Sequence, residues 1–224
     1  MIKPHYTNHP VSIHFARAYL QRGRNLGLDC QALMEYAALT PALLADDQAR
    51  LAPYQLARLL HRVMVDSDDE FMGLAAAQTR FGIFTLLAER LIHCPTLRDV
   101  LVETGRFYRL VTGSVLFDVR EAADETRLQL RMAEPEKDPD FVMTELLMLI
   151  WHRFPSWLIA EVIPLNAVHM IMPAPAHQAE YPLLFPCPAQ FQQAENALLW
   201  PTYMMERPVQ RTDAQLRRYL AKVP

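Results

Sequence analysis

Apolar positions recur at helical spacing through the first half of the chain. Over 12–26, Ile13, Ala16 and Leu20 fall on one side while Phe15 and Tyr19 widen the stripe, which predicts a helix ended by Gly23 and Gly27. A second helix is expected over 29–38, and Thr40-Pro41 is a start signal for a short turn, with proline at the first helical position. From Pro53 to about Val65, Leu56, Leu59, Leu60, Val63 and Met64 follow the i, i+3, i+4, i+7, i+8 pattern of a narrow buried face. An apolar helix over 83–92 should stop at Pro95. Thr96-Leu97-Arg98-Asp99 then opens another, with Leu97, Val100, Leu101, Tyr108 and Val111 on one face and Gly113 at its end.

The period then changes to two. Val115, Phe117 and Val119 alternate with Leu116, Asp118 and Arg120, and Leu128, Leu130 and Met132 alternate with Gln129 and Arg131. The acidic stretch 121–125 between them predicts an antiparallel hairpin. The most apolar helix is expected over 139–154, broken or kinked by Pro155, with a helical piece continuing to about Val162. Beyond Pro164 come a strand over 167–172, a short helix over 177–185, short strands at 190–191 and 197–200, and a charged helix opened by Thr212-Asp213-Ala214-Gln215. Helices first and strands later favour an α+β fold: a helical N-terminal part packed on a small antiparallel sheet, with a C-terminal linker helix.

Composition narrows the class. Of 224 residues 51% are hydrophobic and 21% charged, a globular balance that excludes a disordered chain. The 17 prolines outnumber 6 glycines, and the prolines crowd into the region from Pro155 onward, so long helices belong to the earlier part. The net charge of −3 lacks the basic excess of a chain that wraps phosphates, so this chain is not expected to grip nucleic acid by itself. Cys30, Cys94 and Cys187 are too few and too scattered for a disulfide framework or a CxxC pair, and inert buried thiols are expected. The opening residues have no apolar signal-peptide core, and the densest apolar run, 146–151, falls far short of the roughly 18 residues a membrane span needs. A soluble, cytoplasmic protein is expected.

Signatures of catalysis are missing: there is no GxSxG elbow, no glycine-rich phosphate loop and no HExxH. His5, His9 and His14 lack a Cys or carboxylate at metal-ligand spacing and read as a solvated arm; no metal and no cofactor are expected. The strongest candidate is the helix after Asp138. Between Phe141 and Trp151 only Thr144 and Glu145 are polar, and His152, Arg153 and Ser156 follow. Glu145 and His152, seven apart, share a face, so this stripe either touches solvent or lines a pocket in which a few polar groups orient a small ligand, with Met148 and Trp151 as apolar wall. A second candidate is the run 106–109: Arg109 complements the helix dipole without needing a ligand, whereas inward-facing Tyr108 needs a partner for its hydroxyl. His169, among apolar strand residues, reads as a core histidine. The last helix, with Leu216, Leu220 and Val223 on a thin seam, is either a connector or a frayed tail.

The layout resembles the arabinose-binding-type N-terminal domain of AraC/XylS transcriptional regulators, from about Val11 to Lys222. The matching pieces are Leu26-Gly27-Leu28-Asp29-Cys30-Gln31-Ala32-Leu33, then 51–60, then Cys94-Pro95-Thr96-Leu97-Arg98-Asp99-Val100-Leu101, then Tyr108-Arg109-Leu110-Val111 with the hairpin. The most specific pieces come late: Pro173-Ala174-Pro175, His177 to Tyr181, Phe185, Cys187-Pro188, Phe191 and Glu195-Asn196-Ala197-Leu198. The resemblance implies an effector-sensing and dimerising domain over 1–208, with 209–224 a linker helix toward a helix-turn-helix domain absent from this chain. The implied partners are a small-molecule effector of unknown class, a second copy in a homodimer, and DNA only through the absent domain, with no membrane. The family fixes no ligand residues by a shared motif, so the candidates remain Tyr108, Arg109, Glu145, Met148, Trp151 and His152. A non-enzyme is expected. The alternatives are a dimerisation domain without effector, or an enzyme using Glu145 and His152 as an acid/base pair.

Overall fold

The structure, a computed structural model, describes residues 9–221. The chain divides into two compact units, one formed by the residues up to Gly73 with Gln78–Ile83 and the described end of the chain from Leu220, the other by Leu74–Ala77 with Phe84–Tyr219. His5, Lys222 and Val223 lie outside the described residues.

The first unit is helical. A two-residue strand β1 (Val11–Ser12) pairs with β2 (Arg50–Leu51), and between them run α1 (Ile13–Asn25), α2 (Cys30–Tyr36) and α3 (Pro41–Ala45), followed by α4 (Pro53–Ser67). Short polar side chains start these helices: Ser12 Oγ accepts from the His14 amide at 3.2 Å, Asp29 from the Gln31 and Ala32 amides, and Thr40 from the Leu43 amide at 3.1 Å. The core is formed by Ile13, Ala16, Tyr19 and Leu20 of α1 with Leu33 of α2 and Leu59, Leu60, Val63 and Met64 of α4. Gly23 does not end α1 as expected. It lies inside the helix, where a Cβ would come within 2.6 Å of Leu33 Cδ1, so its missing side chain lets α1 and α2 approach. The end falls instead to Gly27, at φ +75°. The loop after α4 is organised by buried Asp69, whose carboxylate accepts from the amides of Phe71, Gly73 and Thr79 at 2.8–3.0 Å.

In the second unit α5 (Ile83–Leu91) and α6 (Leu97–Val111) precede a hairpin of β3 (Val115–Glu121) and β4 (Glu125–Met132), registered Val115↔Met132 to Glu121↔Thr126. Thr96 and Asp99 form the reciprocal cap expected at the start of α6. After α7 (Val142–Leu158) come β5 (Ala167–His169), the short α8 (Tyr181–Leu184), β6 (Ala189–Gln190), β7 (Asn196–Pro201) and α9 (Asp213–Leu220). The five strands order as β3-β4-β7-β5-β6. The sheet departs from the all-antiparallel expectation at its edge, where β5 and β6 run parallel through Val168↔Ala189 and His169↔Gln190. The fold is α+β.

Two of the expected elements, β5 and α7, differ from their expected bounds. The strand expected over 167–172 ends at His169, and its remaining backbone bonds go to the loop, with Met170 N donating to Gln190 O at 2.9 Å. The central helix begins at Val142 rather than 139, because Asp138 reaches forward to cap it from outside. Pro155 does not break it: α7 runs on to Leu158. Pro155 lacks only the one N–H that would bond back to Trp151 O, and Ile159 N still closes onto Pro155 O at 3.1 Å. Trp151, Phe154 and Leu158 are each at most 1% exposed along this stretch. Such side chains contribute about 2 kcal/mol apiece on burial, enough to offset one missing backbone bond.

Candidate functional site

The stripe of polar residues on α7 is held by side chains from two directions. At its start, the Asp138 carboxylate accepts from the Met143 amide at 3.0 Å, from the Thr144 amide at 2.8 Å and from the Thr144 hydroxyl at 2.8 Å. Burial pushes this carboxyl above its ordinary range, against the pull of those three bonds, and the nearby Glu145 charge adds to the rise. Thr144 is therefore spent on fixing the helix terminus. Phe141, between the cap and the helix, takes φ +58°, a left-handed conformation that a large side chain adopts only when its surroundings impose it.

Glu145, one residue further, is 8% exposed. Its Oε1 accepts a hydrogen bond from the Tyr181 hydroxyl of α8 and another from His177 Nε2 at 2.7 Å. His177 and Tyr181 are four apart on a 3-10 turn that leads into α8, so both rings lie on one side of it, stacked at 6.0 Å between centroids. Burial, followed by the Glu145 charge, holds the Tyr181 phenol far above its usual range, so this hydroxyl remains a donor. Tyr181 also meets Phe185 and Phe191.

Two turns along α7, His152 is 2% exposed, with its ring 6.2 Å from that of Phe185. Its Nε2 lies 2.9 Å from the Ile163 carbonyl. A carbonyl only accepts, so Nε2 carries the proton and Nδ1 presents a lone pair, which has no partner. Burial lowers the His152 pKa from 6.5 to about 4, which keeps the ring neutral. Ser156 completes the arrangement: its hydroxyl donates to His152 O at 2.6 Å and accepts from Ile163 N at 3.1 Å. Tyr181 thus stands over Glu145 and Phe185 over His152, so α8 tracks the polar stripe along α7.

The other residues expected at the site are distributed differently. Met148, 1% exposed, lies between Glu145 and His152 on the helix. Trp151 and Tyr108 are 6.0 Å apart in an edge-on pair, and Phe117 of β3 joins both, at 5.2 Å from each ring. These two belong to the aromatic core between α6, α7 and the sheet, a quarter-turn or more around α7 from the stripe. Arg109 is exposed on α6, away from buried Tyr108. His169 is half-buried on β5, and the three thiols are half-buried rather than buried, with burial still pushing those of Cys94 and Cys187 up.

Sequence reasoning passed over His177 and Tyr181 as site residues. Their signal was present as an i, i+4 aromatic pair in a proline-flanked segment, but only the tertiary fold brings it to a carboxylate 32 and 36 positions earlier. The docking of α9 was left open, and the structure settles it for the described part. The Tyr219 ring packs at a tilt 4.4 Å from Trp157 and 5.6 Å from Phe154, Leu216 is 2% exposed, and Arg211 donates to Trp157 O at 2.7 Å with its guanidinium 5.3 Å over the indole. The helix is a packed element on the C-terminal end of α7.

Residues 27–209 match the model of the arabinose-binding domain of AraC transcription regulators, at their N-terminal end, and the chain belongs to that family. It is similar to the ornithine utilization regulator of Pseudomonas aeruginosa, with 23% identity over 207 residues, which is 91% of this chain. The chain spans 60% of that regulator's length. No helix among the described residues is long and apolar enough to cross a membrane.

Proposed function

We propose that this chain is the effector-sensing and dimerising half of an AraC-type transcription regulator, and that a small molecule binds against the Glu145–His152 face of α7. The observation that carries this reading is the buried Glu145 carboxylate on the most apolar helix, held by His177 and Tyr181 from another element. Ligand sites in domains of this size are mostly apolar with a few convergent polar groups, which is the composition of this face. The similar protein is named for the regulation of ornithine utilization, which supports a small metabolite as the effector class here. The segment 1–208 serves as the sensor, and 209–224 as the linker toward a helix-turn-helix domain through which DNA is bound. Occupancy acts on that linker only through different affinities for two states of the domain, and α9, stacked on the same helix that carries Glu145, is the element placed to respond. A cytoplasmic setting follows from that role.

Metabolite screening by thermal shift on this chain, with transcription from the full regulator as the second readout, tests the assignment. A stabilising metabolite whose effect is lost in Glu145→Gln supports it. Stabilisation and effector-dependent transcription that survive Glu145→Gln, Tyr181→Phe and His177→Gln together would place the effector elsewhere. Dimerisation is tested by sedimentation, where a monomer mass at high concentration refutes it.

A further inference from the structure

The groups on this face that lack a partner are acceptors, and that restricts what can bind them. Glu145 receives both of its protein hydrogen bonds on Oε1; Oε2 receives none from the described residues. Its ion-pair partner among those residues is an imidazole, that of His177, and not a Lys or Arg. A carboxylate has about four lone-pair sites, and one this buried is stabilised when the remainder meet donors. His152 repeats the situation, since Nε2–H is committed to the Ile163 carbonyl and Nδ1 holds an unmatched lone pair. The two residues are seven apart, roughly 10 Å along the helix axis at about 1.5 Å per residue. Met148, Tyr181 and Phe185 supply apolar wall along this length. The neighbouring Trp151 indole does carry an unpartnered N–H, but its ring packs with Tyr108 and Phe117, off the stripe.

We infer that the effector is a small amine: its ammonium end pairs with Glu145 Oε2, and a second N–H donor four to five atoms away reaches His152 Nδ1. This inference rests on the effector-site reading above and adds the chemical class. A carboxylate or phosphate ligand would set negative charge against Glu145 and lone pair against lone pair at His152. An alkyl diamine supplies a donor at each end and a methylene chain for the apolar middle. The charge of the ammonium at the Glu145 end is matched by the carboxylate in a site from which water is largely excluded, the condition under which a charge-assisted bond discriminates best.

The test is calorimetry and thermal shift of this chain with putrescine, with its isosteric diol, with succinate, and with the fully N-methylated bis-quaternary analogue, which keeps both charges but has no N–H. The expected result is saturable stabilisation by putrescine and none by the diol or succinate. Binding should weaken about tenfold or more in Glu145→Gln and for the quaternary analogue, the loss expected for a charge-assisted bond. Glu145→Gln keeps an oxygen for the Tyr181 hydroxyl, and the quaternary analogue tests the same point on the unaltered protein should that variant fold poorly. Failure of putrescine to bind at millimolar concentration overturns the inference. Glu145-dependent binding of the diol or succinate also overturns the amine class but leaves the effector site standing. Binding of any of these probes that is indifferent to Glu145→Gln overturns both.

Discussion

Acidification puts the environment of His152 to a quantitative test. The ring is 2% exposed, and burial takes its pKa from 6.5 down to about 4; the Arg153 charge pulls the same way, and the hydrogen bond to the Ile163 carbonyl pulls against them. In the unfolded chain the ring takes up its proton near 6.5. Between those two values the unfolded state binds a proton that the folded state refuses, so acid favours unfolding. The contribution of the neutral, buried ring is therefore complete above pH 6.5, is lost progressively as pH falls toward 4, and changes no further below that. At about 1.4 kcal/mol per pH unit, a displacement from 6.5 to about 4 corresponds to roughly 3 kcal/mol. Urea unfolding of the wild type and of His152→Gln, from pH 8 to pH 4, measures it as a difference. The stability of the wild type relative to the variant should fall by that amount across the window. Asp138, whose pKa is raised by burial, has the opposite sign, losing stability as pH rises past its ordinary range, and it cancels in the difference because both proteins contain it. A difference that is flat with pH, or that grows in acid, would refute the neutral, Nε2-protonated ring and with it the unmatched Nδ1.

Asp138→Ala removes three hydrogen bonds at the head of α7 and should destabilise the protein by about 2 kcal/mol in urea unfolding, whereas Asp138→Asn, which keeps one acceptor, should lose less. Gly23→Ala adds a methyl 2.6 Å from the buried Leu33 Cδ1, and the overpacking should outweigh the gain in helix propensity for a net loss of about 1 kcal/mol, read by the same assay. Tyr219→Ala removes the ring packed on Trp157 and Phe154 and should raise hydrogen exchange across α9 while leaving the exchange of β4 and β7 unchanged. Equal exchange in α9 before and after that substitution would mean that the helix is held by other contacts.

What could be read directly from the sequence was whatever is decided within a few residues. The stripes of α1, α4 and α6 and the reciprocal caps at Thr96/Asp99 and Thr212/Gln215 depend on i, i+3 and i+4 relations, and the structure has them where the spacing placed them, except that Val111 at the end of α6 is exposed. The β3–β4 hairpin is local for the same reason. The order of the rest of the sheet is not, since β7 inserts between β4 and β5 through partners some 70 and 30 residues apart, Leu128↔Leu198 and Val168↔Leu198. Gly23 was misread because a glycine's sequence signature is the same whether it ends a helix or makes room for a neighbour. Pro155 was misread because the one backbone bond it removes is offset by tertiary burial of Trp151, Phe154 and Leu158, which local sequence rules do not register. At the site, Glu145 and His152 were visible as polar exceptions on an apolar helix, while His177 and Tyr181 sit in a segment legible only as a short helix, with nothing local to tie it to a carboxylate 32 and 36 positions earlier.

The aromatic pieces give α7 a second role that the polar stripe alone does not. Its first half carries Glu145, under Tyr181, and its last turn carries Phe154 and Trp157, under Tyr219 and Arg211. Between these ends the helix is buried on nearly every side against α6 and the sheet. An interior packed this way shifts between discrete arrangements rather than bending continuously. On the proposed reading, a ligand that changes the balance of donors at Glu145 would act on an element whose other end bears α9 directly, about 18 Å away for a dozen residues at about 1.5 Å each. Coupling of this kind has a size limit set by the ligand's preference for one arrangement over the other. It also has a direction that can be reversed: loosening α9 through Tyr219→Ala must change affinity at the Glu145 end by the same factor that occupancy of that end changes the docking of α9. That reciprocity separates a helix that transmits from one that merely fills the core.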